Sequence, residues 1–355
     1  MEEKLTLVNI LQSDLADHII KDGTKVLMNQ VSGTLRNALM SRRRSIRLKA
    51  TKLRDIQELW NTLEGFINSF NIVHLNLTKV WIRNGERCLR LSEYLRRCPF
   101  LAHLDLSHCG IKAQGVGRLA PVLRQCASLA HLDLALNDIG DEGAGRLAAV
   151  LGQCASLAHL DLSTNDIGFQ GAGWLAAVLG QCASLAHLNL YNNDIGDEGV
   201  WSLAAVLGQC SSLAHLDLSG NNIDDEGATS LAEGLVQCAS LAHLNLRANW
   251  IGAEGVERLA AVLPRCASLA RLDLCGNKIG DEGAGSLAAV LGQCASLAFL
   301  NLADNEIHDD GAWRLAQVRG QSPSLPVLFV GYNRISQQAI KTLLAMHPGS
   351  GLSFR

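Results

Sequence analysis

Residues 126–140 read CASLAHLDLALNDIG, and this stretch decides the fold because nearly the same stretch returns every 28 residues. A cysteine opens each copy, at Cys98, Cys126, Cys154, Cys182, Cys210, Cys238, Cys266 and Cys294. Self-similarity at a fixed period of about 20 to 50 residues is typical of a solenoid, in which each unit packs only on its neighbours. The length of 355 residues therefore reflects the number of stacked units rather than the number of globular domains.

Each repeat begins with a predicted short strand and an inward turn. Leu132 and Leu134 alternate with His131 and Asp133, so the leucines are expected to face the core and the polar residues to face outward. Asn137 is expected to turn the chain inward, because its side-chain amide can pair with backbone groups that the turn leaves unbonded.

A helix is predicted after this turn. Asp141 is expected to cap it, and the apolar residues Ala144, Leu147, Ala148 and Leu151 have the spacing of one buried helix face. Neighbouring strands lie about 4.8 Å apart, whereas packed helices lie about 8–10 Å apart. Because a straight stack cannot satisfy both spacings, the solenoid should bend into a horseshoe, with strands on the concave face and helices on the convex face.

The 28-residue pattern C-x-x-L-x-x-L-x-L-x-x-N-x-I-x-x-x-G resembles the ribonuclease-inhibitor-like subfamily of leucine-rich repeats. The same repeat type is found in NOD-like receptors and in the Ran GTPase-activating protein. The resemblance covers eight full repeats over residues 98–321. It implies a right-handed α/β horseshoe made of parallel strands and helices. It specifies function only weakly, because this family binds unrelated proteins through one scaffold.

The two ends of the chain depart from the repeat, as terminal units with one free face must. We expect a helical N-terminal cap with a first strand over residues 1–68, a degenerate repeat over 69–97, the eight repeats over 98–321 and a C-terminal capping repeat over 322–355. Residues 5–44 are also similar in layout to F-box proteins, the substrate receptors of ubiquitin ligases, although the usual Leu-Pro opening is absent. A plain cap and an F-box-like adaptor both stay open.

Composition narrows the class of partner and the compartment. A net charge of −3 gives no reason to expect nucleic acid as the main partner. The chain shows no signal-like start and no apolar run near the roughly 20 residues that a membrane span needs. The periodic cysteines are expected to form a buried column of reduced thiols, which favours a cytoplasmic or nuclear protein. We expect a monomer without cofactor.

Candidate binding positions are those where the repeats differ. The first outward column of the strands holds histidine in six consecutive repeats and then reads Arg271, Phe299 and Val327. Interface energy concentrates in aromatic and arginine side chains, and Trp250 replaces an aspartate found at its position in other repeats. The predicted partner-binding residues are His159, His187, Tyr191, His215, His243, Arg247, Trp250 and Arg271.

The histidine and aspartate columns suggest two further hypotheses. A metal site needs three or four convergent ligands, and a flat row of side chains does not provide them, so no metal is expected. Each histidine is instead expected to bond a neighbouring aspartate or water. A row of imidazoles that gains charge near pH 6 would alter the affinity for a partner. On the helix side, Phe169, Trp174 and Trp201 are expected to form a packed group or a small apolar patch.

These features favour a non-catalytic scaffold that binds another protein on the concave face. The sequence has no G-x-S-x-G or P-loop motif, and the recurring cysteines are predicted to be buried while the histidines face outward. Two alternatives stay open. One is an F-box-like substrate-recognition subunit of a ubiquitin ligase, and the other, by fold analogy alone, is a regulator of a small GTPase.

Overall fold

A computed structural model describes residues 45–49, 60, 63–64, 71–319, 326–346 and 352–354. The F-box-like stretch over residues 5–44 lies outside this part of the chain. Contacts between residues divide the chain into two compact units, Met1–Asn165 and Asp166–Arg355. In each unit, short parallel strands alternate with helices, and each strand pairs with the next one along the chain.

The first unit contains five described strands and three described helices. They are β1 (Ser45–Lys49), β2 (Asn71–Asn76), α1 (Gly85–Leu95), β3 (His103–Asp105), α2 (Lys112–Leu123), β4 (His131–Asp133), α3 (Gly140–Leu151) and β5 (His159–Asp161). The strands pair in parallel with equivalent residues side by side, so that His103 lies beside His131 and His131 beside His159.

The second unit contains seven described strands and seven described helices. They are α4 (Phe169–Leu179), β6 (His187–Asn189), α5 (Gly196–Ala204), β7 (His215–Asp217), α6 (Asp225–Leu235), β8 (His243–Asn245), α7 (Ala253–Val262), β9 (Arg271–Asp273), α8 (Gly280–Leu291), β10 (Phe299–Asn301), α9 (Asp309–Arg319), β11 (Val327–Phe329), α10 (Gln337–Met346) and β12 (Leu352–Ser353). Two short 3-10 helices, Leu207–Gln209 and Leu263–Arg265, follow α5 and α7.

The core of each unit consists of the leucines that the sequence pattern predicts. The middle leucine of each three-residue strand is buried, as at Leu132 and Leu244, while its two neighbours are more exposed. The helices bury the predicted face, and in α3 this face comprises Gly143, Ala144, Leu147, Ala148 and Leu151. The predicted α/β solenoid architecture is confirmed within each unit.

A ladder of buried asparagines holds the turns, and Asn249 shows how. Its amide donates to the carbonyl oxygens of Leu218 and Leu246 at 3.1 and 3.0 Å. Its Oδ1 accepts from the backbone N–H groups of Asn221 and Ile223 at 2.9 and 3.1 Å. One buried side chain therefore satisfies backbone groups of two adjacent repeats, which explains why a buried polar residue returns in every turn.

The periodic cysteines lie in the interior and take part in no disulfide. Seven of the eight are buried, and Cys154 is half-buried. Burial raises the pKa of the Cys98 thiol to about 12 and that of the Cys126 thiol to about 11. These residues therefore act as small apolar groups that pack between repeats.

The predicted role of Asp141 as the cap of its own helix is wrong. Helix α3 begins at Gly140 without a side-chain cap. The equivalent aspartates in the second unit instead cap the helix of the following repeat. Asp225 Oδ1, for example, accepts from the backbone N–H groups of Gly252 and Gly255 at 2.7 and 2.8 Å. These carboxylates pair backbone donors that the start of a helix leaves unbonded and also compensate its positive end.

Where this aspartate is absent, the next helix starts differently. Ala253 takes its place in α7, and the helix after it starts at Gly280, which has a φ of +59° and donates to the carbonyl oxygen of Asn305 at 2.9 Å. Phe169 replaces the aspartate in α4, and the following helix, α5, likewise starts at a glycine, Gly196, which has a φ of +58°. Glycine fits this left-handed conformation without the steric cost of a Cβ. The residue in one repeat thus selects the backbone conformation that starts the next helix.

Candidate protein-binding surface

In each unit, the outward side chains of the strands form a surface that we call the strand face. In the second unit its centre is a stack of three imidazoles. His187, His215 and His243 lie side by side on β6, β7 and β8. The ring centroids of His187 and His215 are 4.0 Å apart, and so are those of His215 and His243.

The surroundings of His215 and His243 disfavour their protonation. Burial and the neighbouring His187 and His243 lower the pKa of His215. Burial, followed by the positive charge of Arg271 on the adjacent strand and by His187, lowers the pKa of His243. His215 and His243 therefore stay neutral to a lower pH than a free histidine. The hypothesis that this face gains positive charge near pH 6 stays a prediction, and the lowered pKa values of these two imidazoles oppose it.

Two residues after each of these histidines stands an aspartate or asparagine, and these side chains bond to the turns and to one another. Asp217 Oδ1 accepts from the backbone N–H of Ser219 at 2.9 Å, and its Oδ2 accepts from the Asn245 amide at 2.8 Å. The strand face therefore contains a row of stacked imidazoles beside a row of hydrogen-bonded carboxylates and amides. Within the described part of the chain, no group of three or more histidine, cysteine or acidic side chains could hold a metal ion.

His159 lies in the first unit, on β5, and its ring centroid is 4.2 Å from that of His131. Beside these rings, Asp133 has a perturbed carboxyl group. Burial, with the charges of Asp161 and Asp105 as further causes, raises its pKa to about 6, although the bond from the Ala135 N–H opposes this rise. The first unit thus has a row of carboxylates that repel one another beside its imidazoles.

Tyr191 and Arg247 lie on either side of Gly220. The N–H of Gly220 donates to the Arg247 carbonyl oxygen at 2.9 Å, and a Cβ on Gly220 would lie 3.4 Å from the Tyr191 ring. Tyr191 is 46% exposed, and Arg247 is also exposed. Two predicted binding residues therefore flank one glycine at the end of the strands.

Trp250 and Arg271 each form a cation–π pair with a residue that the sequence analysis did not select. The Trp250 ring is 55% exposed, and the Lys278 ammonium lies 5.8 Å from its centroid. The Arg271 guanidinium carbon lies 4.1 Å from the centroid of Phe299. Lys278 stands 28 residues after Trp250, so the alignment of the repeats could have identified it.

The strand face ends in apolar residues that are not among the predicted binding residues. Val327, Phe329 and Tyr332 belong to the predicted C-terminal capping repeat, and Val327 is 44% and Tyr332 is 85% exposed. Phe329 lies 5.2 Å from Phe299, measured between ring centroids. The signal was present in the columns, where apolar residues replace the histidines and asparagines of earlier repeats.

The three predicted residues of the helix side are all accessible. Phe169, Trp174 and Trp201 are 49%, 46% and 65% exposed. A groove of about 390 Å³ lies beside Trp201 and is lined by residues of α5 and α6. Its floor includes Gly234, which stands where most repeats have valine. Across the described residues, no helix combines the length and the apolar character needed to cross a membrane.

Comparison with known proteins agrees with this architecture. A family model described as Leucine Rich repeat matches eight segments that together cover more than half of the chain, namely residues 97–120, 125–148, 153–175, 181–204, 209–232, 237–260, 265–288 and 293–316. Comparison with curated protein sequences gives no match.

Two solved structures are similar to this chain to different degrees. An internalin from Listeria monocytogenes strain 4b F2365 aligns with a TM-score of 0.51 and 18% identity, over 87% of this chain and 86% of that chain. This similarity concerns the fold alone. A structure of leiomodin-1 actin-binding site 2 aligns with a TM-score of 0.36 and 18% identity, over 42% of this chain and 86% of that chain, which is too low to support an argument.

Proposed function

Because the chain belongs to the leucine-rich repeat family, we propose that it is a non-catalytic scaffold that binds a partner protein on the strand face of its second unit. Members of this family are typically non-catalytic and bind other proteins, and a rigid stack of strands provides an extended surface for this purpose. We also propose that the chain acts as a monomer in the cytoplasm or nucleus, where its reduced thiols are stable.

One observation supports the proposed surface above the others. Tyr191, Arg247, Trp250 and Arg271 are all exposed on the strand face or its rim. Most other repeats have small or polar residues at these positions, so the fold does not require them. Aromatic and arginine side chains supply much of the energy in protein interfaces. The aromatic rings bury a large area with only about two rotatable bonds, and the guanidinium adds several hydrogen-bond donors. The half-buried imidazoles beside them add a flat surface that loses little conformational entropy on binding.

Site-specific photo-crosslinking tests this proposal. A photoreactive phenylalanine analogue would replace Tyr191 on the strand face or, as a matched control, Trp201 on the helix side of the same unit. We expect crosslinking in a cell extract to yield one protein in high amount from position 191 and not from position 201. Capture of the same proteins at both positions, or of any partner from position 201 alone, would contradict the proposed surface.

The identity of the captured protein separates the alternatives. An adaptor of the Skp1 type, retained through the N-terminal region, would favour a ubiquitin-ligase subunit over a simple scaffold. A small GTPase whose hydrolysis rate rises with the added chain would favour a GTPase regulator. We expect neither result if the chain acts only as a scaffold.

A further inference from the structure

The strand face of the second unit changes character between β9 and β11. The histidine column ends, and Arg271, Phe299 and Val327 take its positions on three consecutive strands. Phe329 occupies the second column on β11, beside Asn301 of β10. We call these four residues the arginine–aromatic patch. It contrasts with the imidazole stack of β6 to β8, because apolar groups and a permanent positive charge replace titratable rings.

The patch is built from rings in contact and remains open to solvent. The guanidinium of Arg271 lies over the Phe299 ring at 4.1 Å, and the Phe299 and Phe329 rings meet at an angle of 42°. Val327 beside them is 44% exposed. A guanidinium that stacks on an aromatic ring through its flat face keeps the N–H groups at its edge available for bonding. The patch therefore offers hydrogen-bond donors next to an apolar surface.

Among the residues that the structure describes, Arg271 forms no ion pair, and neither does Arg247, which follows the preceding strand. Asp273 is the carboxylate closest in sequence, but it accepts from the Cys275 N–H at 2.9 Å and from the Asn301 amide at 3.1 Å. Those bonds direct it toward the turn and toward β10.

We propose that the patch binds an acidic segment of a partner protein, in which a carboxylate bonds Arg271 and an adjacent bulky apolar side chain covers Phe299, Val327 and Phe329. This inference rests on the proposed function, and it adds the chemistry of the partner. A carboxylate matches the two parallel N–H donors of a guanidinium. A single-stranded nucleic acid could also stack a base on these rings, but the net charge of −3 gives no electrostatic support for a polyanion.

Selection from a library of random dodecapeptides displayed on phage, with the full chain as bait, tests this inference. We expect the selected peptides to carry Asp or Glu within two positions of Phe, Trp, Leu or Ile. Fluorescence anisotropy with one synthetic peptide should then show at least tenfold weaker binding to Arg271→Gln. The matched control Arg258→Gln removes the same charge from an exposed position on helix α7 of the same unit, and its affinity should be unchanged.

A charge-exchange variant distinguishes loss of the specific contact from loss of binding through unfolding. The Arg271→Glu chain should lose the acidic peptide and should bind the same peptide with Lys in place of its acidic residue. Selected peptides without acidic residues, or equal affinity for wild type and Arg271→Gln, would overturn the inference. Tighter binding of a single-stranded oligonucleotide that depends on Arg271 would overturn it as well.

The outcomes also separate this inference from the proposed function. Peptides that depend on Tyr191 and Trp250 but not on Arg271 would leave the proposed function intact and remove the acidic partner. A selection that yields no peptide sensitive to any of these three residues would overturn both.

Discussion

Replacement of Asp133 by Asn should stabilise the protein, and the structure sets the size of the effect. Asp133 lies between the carboxylates of Asp105 and Asp161 on adjacent strands, and burial together with these charges raises its pKa from 3.8 to about 6. The change of about two units corresponds to about 3 kcal/mol at most. Because Asp133 is only half-buried, solvent screening reduces this to about 1 kcal/mol.

The substitution keeps the local structure, and the chain itself shows this. Asp133 Oδ1 accepts from the Ala135 N–H at 2.9 Å. Asn189 and Asn245 occupy the same position in other repeats, and their Oδ1 atoms accept the same turn bond at 2.9 and 3.1 Å. Asparagine can therefore replace Asp133 without loss of the bond, and only the charge is removed.

The pH dependence gives the effect a distinct signature. A carboxyl group whose pKa is higher in the folded than in the unfolded protein lowers stability as the pH rises from 3.8 to about 6. The stabilisation by Asp133→Asn should therefore be complete at pH 7.5 and fall to about a third at pH 4.5. Urea denaturation followed by circular dichroism at both pH values measures it.

Asp217→Asn is the matched control. The carboxylate of Asp217 accepts from the Ser219 N–H and from the Asn245 amide, and an amide at this position would place a donor against the Asn245 donor. This variant should lose about 1 kcal/mol. The reasoning is refuted if Asp133→Asn is no more stable than wild type at pH 7.5, or if its effect is equal at the two pH values.

Three further predictions follow from the contacts described above. Asp225→Ala should lower the free energy of unfolding, measured by urea denaturation, by about 1–3 kcal/mol, because it leaves two backbone donors at the start of helix α7 unbonded. A loss below about 0.3 kcal/mol would mean that the carboxylate does not cap the helix of the next repeat. At pH 7.5, a thiol reagent should modify the buried cysteines of the native protein at least about 100-fold more slowly than those of the protein unfolded in urea, where all eleven cysteines should react. Rapid labelling of Cys98 or Cys126 in the native protein would contradict their burial. Affinity for an acidic partner should rise as the pH falls, with a midpoint below the value of 6.5 that is ordinary for histidine, because the pKa values of His215 and His243 are lowered. A midpoint at or above pH 6.5 would contradict this.

The fold could be predicted from the sequence because the repeat supplies the same local signal eight times. The strand leucines, the turn asparagines and the helix face at Ala144, Leu147, Ala148 and Leu151 lie where their spacing places them. The capping role of Asp141 was mispredicted for a physical reason. A carboxylate at the start of a helix usually bonds within its own helix, and only the stacking of adjacent repeats brings the next helix closer.

The candidate surface could be predicted only in part. The columns identified Tyr191, Arg247, Trp250 and Arg271 as departures from the repeat, and all four are exposed. Pairs such as Arg271 with Phe299 depend on side-chain conformation, which the repeat period does not contain. Val327 and Phe329 belong to the predicted C-terminal capping repeat and to the outward columns, and this pattern did not show how far a cap would cover them. In the structure Val327 is exposed and Phe329 is half-buried.

The affinity of the partner captured at position 191 for a double variant tests the central claim most directly. Isothermal titration would compare the wild type with Tyr191→Ala/Trp250→Ala and with the helix-side control Trp174→Ala/Trp201→Ala. Loss of two exposed aromatic anchors should weaken binding at least about tenfold, while the control should bind as the wild type does. Equal affinity for wild type and the strand-face variant, or a loss confined to the helix-side variant, would contradict binding on the strand face.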